Sequence, residues 1–379
     1  MTLRDRLLSS PSFRRWAAAF PLTRGIARRR ARALFDLCAG FVYTQVLLAC
    51  VRVDLFKILA EGAQSALVLS VRTGLPLDGA QRLLDAAIAL KLVERRGARY
   101  GLGPLGAAMI GNDGIAAMVE HHALLYRDLA DPVALLRGER HSQALAGYWP
   151  YADTTSPDQL GVADVTGYTT LMAASQPFIA EEVLAAYKFA RHTCLLDVGG
   201  GDGSFLRAVA KSAPRLRLML FDLPPVANRA IQRCAEAGLS QRIEIHGGDA
   251  IRGTLPKGAD IISFVRIIHD HDDESALAML KAARAALPDS GTLLIAEPMS
   301  GTQGAEPIGD AYFGFYLMAM GRGRSRSPET LQALLARAGF GRFRELPTRL
   351  PVLCRILLAH PVAEAAPKMD TASSTVSLS

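Results

Sequence analysis

The sequence predicts an α/β fold, a doubly wound and mostly parallel sheet preceded by a helical winged-helix module, and three observations carry that prediction. The apolar residues Leu195 and Leu196 run through Asp197 and Val198 into glycines at 199, 200, 201 and 203, which open a helix over 204–211. Further apolar runs at 216–221, 243–245, 259–268 and 291–296 alternate with helical stretches, and polar residues gather after each run. Upstream, residues 65–102 read as helix, turn, helix and hairpin.

The chain has 379 residues, half of them hydrophobic and 21% charged, which suits a globular protein of two domains plus tails. The net charge of +7 is concentrated at one end. Nine arginines against one aspartate fall in residues 1–32, so the remainder is close to neutral and lacks the basic face of a nucleic-acid binder. This arm also carries Leu3, Leu7, Leu8, Phe13, Trp16, Phe20 and Leu22. It reads either as a peripheral contact for an anionic membrane surface or as a solvated terminus. No run reaches the ~18 uninterrupted apolar residues of a spanning helix, and Pro11, Arg14 and Arg15 break any secretory signal. The five cysteines, at 38, 50, 194, 234 and 354, have no metal-ligand spacing, so a reducing cytoplasm and no metal are expected.

From Phe35 to Leu59 the chain reads as a nearly continuous helix, apolar on most faces and suited to burial against another subunit. A short helix then ends at Thr73, Gly74-Leu75-Pro76 turns, a second helix runs from Asp78 to Lys91, and Gly97 centres a hairpin over 93–102. This is a winged helix-turn-helix. Asp78 and Asp85 lie near the positions that would read bases, where phosphates repel acids, so the module is read as a dimerisation domain and not as a nucleic-acid binder. Two helices are expected over 115–146, a loop over 148–161, and a helix around 168–187 leading into the glycine turn. After the fifth run come a helix at 328–338 and strands near 342–346 and 352–360. Residues 361–379 are small and polar and are expected to be disordered. The expected divisions are an arm at 1–34, a dimerisation domain at 35–160, a ligand-binding domain at 161–360, and the tail.

The glycine spacing selects among nucleotide-like ligands. A dinucleotide fingerprint needs G-x-G-x-x-G, but Ser204 stands at the third glycine, and no Gly-Lys-Ser/Thr follows to make a P-loop. Asp222, at the end of the next run, can accept hydrogen bonds from ribose hydroxyls, and Asp249, after the third, suits an adenine amino group while repelling phosphate. Glycines and two acids on three successive strand ends favour S-adenosylmethionine, which is cationic at sulfur and has no phosphate. Methyl transfer from it needs a nucleophile, and an aliphatic hydroxyl holds its proton about as tightly as water does, with a pKa of about 15.7. His269, after the fourth run, is placed to take that proton as a general base, and Glu297, one strand over, to orient it. The acids at 272–274 are explained as helix caps.

Five ordered motifs carry a family likeness: LLDVGGGDG at 195–203, FDLPPV at 221–226, GGDA at 247–250, HDHDDE at 269–274 and AEPM at 296–299. They resemble those of the plant-type small-molecule O-methyltransferases, over residues 35–360. The resemblance implies a seven-stranded, class I methyltransferase Rossmann-like sheet and a homodimer. It also implies a donor site built from Gly199, Gly201, Asp222, Leu223, Asp249, Ala250 and Arg266, with catalysis by His269 and Glu297. Two positions depart from the pattern. The plant lysine four residues before the base is Val265 here, with Arg266 beside it, and the second carboxylate of a G-K-E-R-T stretch falls on Ser325 of GRSRS. The arm followed by LFDLCAGFVYTQVLLACVRVDLF is similar to the bacterial hydroxyneurosporene-type carotenoid enzymes. It implies a small apolar hydroxylated substrate drawn from a membrane; the aromatic and methionine stripe from Tyr312 to Met320 reads either as lining for an apolar channel or as core. A phenolic or polyketide acceptor, and a non-catalytic winged-helix regulator, remain as alternatives.

Overall fold

A computed structural model describes residues 1–139, 144–148 and 162–362, the backbone alone over 162–170. The expected loop at 148–161 and tail at 361–379 lie almost entirely outside the described residues. The chain forms two compact units, Met1–His121 and His122–Ser379.

The first unit opens with α1 (Leu3–Ser9) and α2 (Pro11–Ala19), capped by Thr2 and Ser10 respectively, each accepting a backbone N–H three residues on. α3 (Arg24–Arg52) then runs without a break through the boundary expected at 34/35, so arginines 24–32 and the apolar stretch share one helix. The helix expected to continue to Leu59 instead breaks at Asp54, a non-glycine residue with φ 52°, and restarts as α4 (Leu55–Ala60). Scattered polar residues deny α3 an uninterrupted apolar run, yet it contains an 18-residue window of mean hydropathy 1.8, only 11% buried, which by length and composition passes for a membrane span.

The winged helix follows: α5 (Ala66–Thr73), α6 (Leu77–Ala89), and the antiparallel strands β1 (Val93–Arg96) and β2 (Arg99–Leu102), with Gly97 at φ 64° making the turn. Ser65 caps α5 and Gly74 closes it in the left-handed conformation. Cys50, Leu55, Phe56, Leu69, Leu84 and Tyr100 form its core. On α6, Arg82 is paired with Asp78 at 2.8 Å, both side chains largely exposed. α7 (Pro104–Ala107) ends the module, and α8 (Asp113–Asp128) leads out of this unit.

In the second unit, α9 (Pro132–Leu136), α10 (Ala144–Tyr148) and α11 (Val162–Ala186) precede the sheet. Its strands are β3 (Cys194–Val198), β4 (Arg217–Asp222), β5 (Ile243–Gly247), β6 (Ile261–Val265), β7 (Thr292–Glu297), β8 (Phe340–Leu346) and β9 (Arg355–Pro361). Their spatial order is β5-β4-β3-β6-β7-β9-β8, parallel through β7 and antiparallel at β9 and β8. Between them lie α12 (Ser204–Ser212), α13 (Pro224–Glu236), α14 (Asp273–Ala286), α15 (Phe313–Ala319) and α16 (Pro328–Arg337). Every residue of β3, β6 and β7 is buried, as expected of parallel strands covered on both faces.

Successive side chains alternate between two cores. Leu196, Phe264 and Ile295 pack on one face with Leu280 of α14 and Leu335 of α16. Leu195, Val265 and Leu294 pack on the other with Val183 of α11, Leu206 of α12 and Cys234 of α13. This is the doubly wound, Rossmann-like sheet expected from the alternating runs. The strand order reverses between β3 and β6, where connections leave in opposite directions and open a crevice beyond the carboxyl ends.

Candidate active site

A cavity of about 260 Å³ occupies that crevice. Its floor is the glycine turn after β3. Gly199, Gly201 and Gly203 have φ of 71°, 60° and 79°, a region that costs other residues ~1–2 kcal/mol each. Their surroundings differ. A Cβ on Gly199 would lie 2.4 Å from Ile267 Cδ1, whereas one on Gly201 would meet nothing within 4 Å. Gly199 is therefore a packing requirement, and Gly201 leaves backbone bare toward the open crevice.

Asp222 joins this turn to the next strand. Its carboxylate accepts the Gly201 N–H at 2.8 Å and the Leu223 N–H at 2.7 Å. Burial raises its pKa to about 6 against the pull of those two donors. Asp249 lines the crevice and accepts the Ile251 N–H at 2.8 Å, with Ala250 beside it. Glycine is needed just before, because a Cβ on Gly248 would come within 2.6 Å of the Phe221 ring.

Arg266 also borders the crevice, from a left-handed backbone at φ 59°. Its guanidinium reaches away from the strand end to Ser175 Oγ at 2.7 Å and the Met172 carbonyl at 3.1 Å on α11. It thereby holds that helix as one wall, to which Met172, Ala173 and Gln176 contribute.

His269 sits on a single 3₁₀ turn, Ile268–Asp270, after β6. Its neighbours Asp270 and His271 line the crevice, while its own ring lies beside Phe313, with centroids 5.7 Å apart. Nε2 is 3.1 Å from Asp270 Oδ1, and Nδ1 is buried with no hydrogen-bond partner among the described residues. A carboxylate at Nε2 keeps the proton there, which leaves the Nδ1 lone pair to receive another. Burial pushes the imidazole pKa down, but Asp270 and Glu297 outweigh it and the net direction is up.

Glu297 is fully buried, and its Oε2 accepts the His269 backbone N–H at 3.1 Å. It thus holds the turn and adds negative charge, without bonding either ring nitrogen. Burial raises its own pKa, partly countered by His269. Phe313 belongs to an aromatic row: Tyr312 meets it edge-on at 5.1 Å and stacks on Tyr316 at 5.7 Å, and His122 Nε2 is 2.8 Å from the Tyr312 hydroxyl. The row is preceded by a π-helical turn, Pro307–Tyr312.

Several residues of the site carried no functional assignment in the sequence. Asp197, buried in β3, accepts the Ser263 hydroxyl at 2.6 Å, and burial with the Asp222 charge nearby raises its pKa to about 7. Its place two residues before the first glycine was visible, though not that it faces the crevice. Asp270 stands beside the candidate base, where only the turn reveals their contact. The α11 wall residues gave no signal, since Ser175, Gln176, Glu181 and Glu182 are scattered among apolar residues along that helix.

The residues present fit an adenosyl ligand without phosphate: a bare glycine backbone, a half-buried carboxylate at the second strand end and another acid at the third. Comparison with known proteins agrees. The family model for an O-methyltransferase domain matches residues 126–341, and that for an O-methyltransferase dimerisation domain matches residues 35–112. Demethylspheroidene O-methyltransferase of Cereibacter sphaeroides is 42% identical over 366 residues, 95% of each chain. Acetylserotonin O-methyltransferase of Mus musculus is 30% identical over 336 residues, covering 83% of this chain and 85% of its own. Among solved structures, human N-acetylserotonin methyltransferase in complex with S-adenosylmethionine superposes with a TM-score of 0.73 at 22% identity, over 88% of this chain and 98% of its own.

Proposed function

The chain belongs to the S-adenosylmethionine-dependent O-methyltransferase family, and from that premise we propose that it methylates a hydroxyl of an apolar small molecule, a hydroxylated carotenoid above all. The observation that carries the acceptor class is 42% identity along 95% of both chains with a demethylspheroidene enzyme. The aromatic row from Phe313 to Tyr316 beside His269 supports an apolar acceptor. Similarity to acetylserotonin O-methyltransferase, at 30%, keeps a small aromatic alcohol as the second acceptor class.

S-adenosylmethionine, when bound, supplies an electrophilic methyl on a sulfonium. Gly199 and Gly201 shape the floor beneath it, Asp222 with Leu223 holds the ribose, Asp249 with Ala250 receives the adenine, and Arg266 fixes the α11 wall. His269 takes the acceptor proton on Nδ1 while Asp270 holds Nε2–H, and Glu297 anchors the turn through the His269 amide. Orientation in the crevice supplies a large share of the rate.

The protein acts as a homodimer in the cytoplasm. Residues 35–112 match a dimerisation domain, and Phe35, Leu37 and Phe41 of α3 are 65%, 81% and 64% exposed in the single chain. Residues 1–34 rest on an anionic lipid face, with Trp16 and Leu22 exposed among the arginines. The test offers methyl-labelled S-adenosylmethionine with polyene alcohols and phenols in detergent. Label in a polyene ether supports the reading, and label in phenols alone selects the second class.

A further inference from the structure

Arg326 follows Ser325 in the GRSRS stretch, more than fifty residues from His269 in sequence, and its side chain is wholly buried. Five hydrogen bonds surround the guanidinium. Nε and Nη2 donate to Asp273 Oδ1 at 2.9 and 2.7 Å, Nη2 to the His271 carbonyl at 2.8 Å, and Nη1 to the carbonyls of Ile268 at 2.8 Å and Arg324 at 3.4 Å. Ile268 and His271 flank His269 and Asp270, so one planar group bridges the two sides of the turn that carries the imidazole.

The backbone beside it makes the same contact. The Arg324 N–H donates to the His269 carbonyl at 2.8 Å, and a Cβ on Gly323, at φ 95°, would lie 2.6 Å from that oxygen. The far side of this strap is fixed by the Ser300 N–H, which donates to the Arg326 carbonyl at 3.0 Å. The turn needs holding, because it follows Arg266 in a left-handed backbone and comprises only three residues.

We propose that Arg326 is a positioning residue for methyl transfer: it touches neither substrate nor donor, and it sets the direction of the His269 ring by clamping the carbonyls on either side of it and tying them to Asp273 at the start of α14. A lysine can reach one or two of those acceptors but cannot bridge three in a plane. The proposal rests on His269 being the base.

The test compares Arg326→Lys, Asp273→Asn, His269→Ala and the Arg326→Lys/His269→Ala double variant. Asp273 is half exposed, so its variant remains informative should Arg326→Lys fail to fold. Misplacement on the scale of 1 Å lowers kcat about 100-fold. Arg326→Lys is therefore expected to lose about that factor while its Kd for S-adenosylmethionine, measured by calorimetry, stays close to wild type. Asp273→Asn should lose less, in the same direction. The His269 ring resonances should move in an NMR titration of both, and Arg326→Lys should cost nothing further once His269 is alanine. Full turnover and unmoved His269 resonances in the folded variants, with His269→Ala inactive, would overturn the clamp alone. Turnover retained by His269→Ala would overturn the base assignment, and the clamp with it.

Discussion

Replacing Asp222 by asparagine changes one atom type in a carboxylate that takes two backbone N–H groups and has its pKa raised to about 6 by burial. In the proposed complex those oxygens also accept from ribose hydroxyls. An amide keeps one acceptor and turns an N–H₂ toward a donor, so two charge-assisted bonds of ~1.5–3 kcal/mol each are weakened. A net loss of about 3 kcal/mol corresponds to a Kd roughly 100-fold weaker. The pH dependence has a definite sign. Burial favours the protonated acid, which adds stability to the unliganded fold at low pH that is lost as pH rises through about 6. Ribose hydroxyls favour the ionised form, so donor binding releases a proton below about 6. Affinity should accordingly fall about tenfold per pH unit below that value, and be flat from there to 7, before the donor's own amine titrates near 7.7–8.0. Calorimetry between pH 5 and 7, in buffers of different ionisation enthalpy, measures both affinity and proton release. In Asp222→Asn the limb should vanish. Asp197, held near 7 in the same crevice, is retained in that variant, so a limb that survives belongs to Asp197 and refutes the assignment.

Other perturbations separate neighbouring roles. Gly199→Ala must displace Ile267 and should lower Tm more than Gly201→Ala, which adds only left-handed strain of ~1–2 kcal/mol but should weaken donor binding by intruding on the crevice; differential scanning calorimetry and donor titration distinguish them. Asp270→Asn removes a charge that raises the His269 pKa, so the rising limb of kcat against pH should shift to lower pH, with a slower plateau as Nε2–H loses its acceptor. Replacing Trp16 and Phe20, stacked at 5.1 Å, by serine should release the protein from sedimenting phosphatidylglycerol vesicles, with weak binding to phosphatidylcholine vesicles in either form. Equal sedimentation of the variant and wild type would remove the arm from lipid contact.

The parts of the fold that could be read from the sequence are those where the chain punctuates itself. Glycines with φ near 60–80° at the end of β3, and acids after β4 and β5, stand at strand ends because side chains there would block the crevice or leave it uncharged. The winged helix was equally plain, since Ser65, Gly74 and Gly97 mark its caps and turn. The start of α3 was not, because arginine is a good helix former and the shift from basic to apolar composition near residue 33 leaves the backbone unbroken. Arg326 escaped notice for a related reason. In GRSRS it looks like a solvated loop residue, and only the fold brings the carbonyls of 268 and 271 around it. The support of His269 divides the same way: Glu297 was recognisable as a neighbour, while its bond to the backbone amide and the role of Asp270 at Nε2 depend on the turn's geometry.

The most direct test of the mechanism is the single-turnover rate of methyl transfer to a polyene alcohol as a function of pH, in wild type and His269→Ala, at saturating donor. General-base catalysis contributes about 10²–10⁴-fold, so the wild-type rate should rise through an apparent pKa above that of an ordinary histidine and the variant should be slower by a factor in that range, without the limb. A variant that transfers methyl at the wild-type rate, or retains the same limb, would contradict the account.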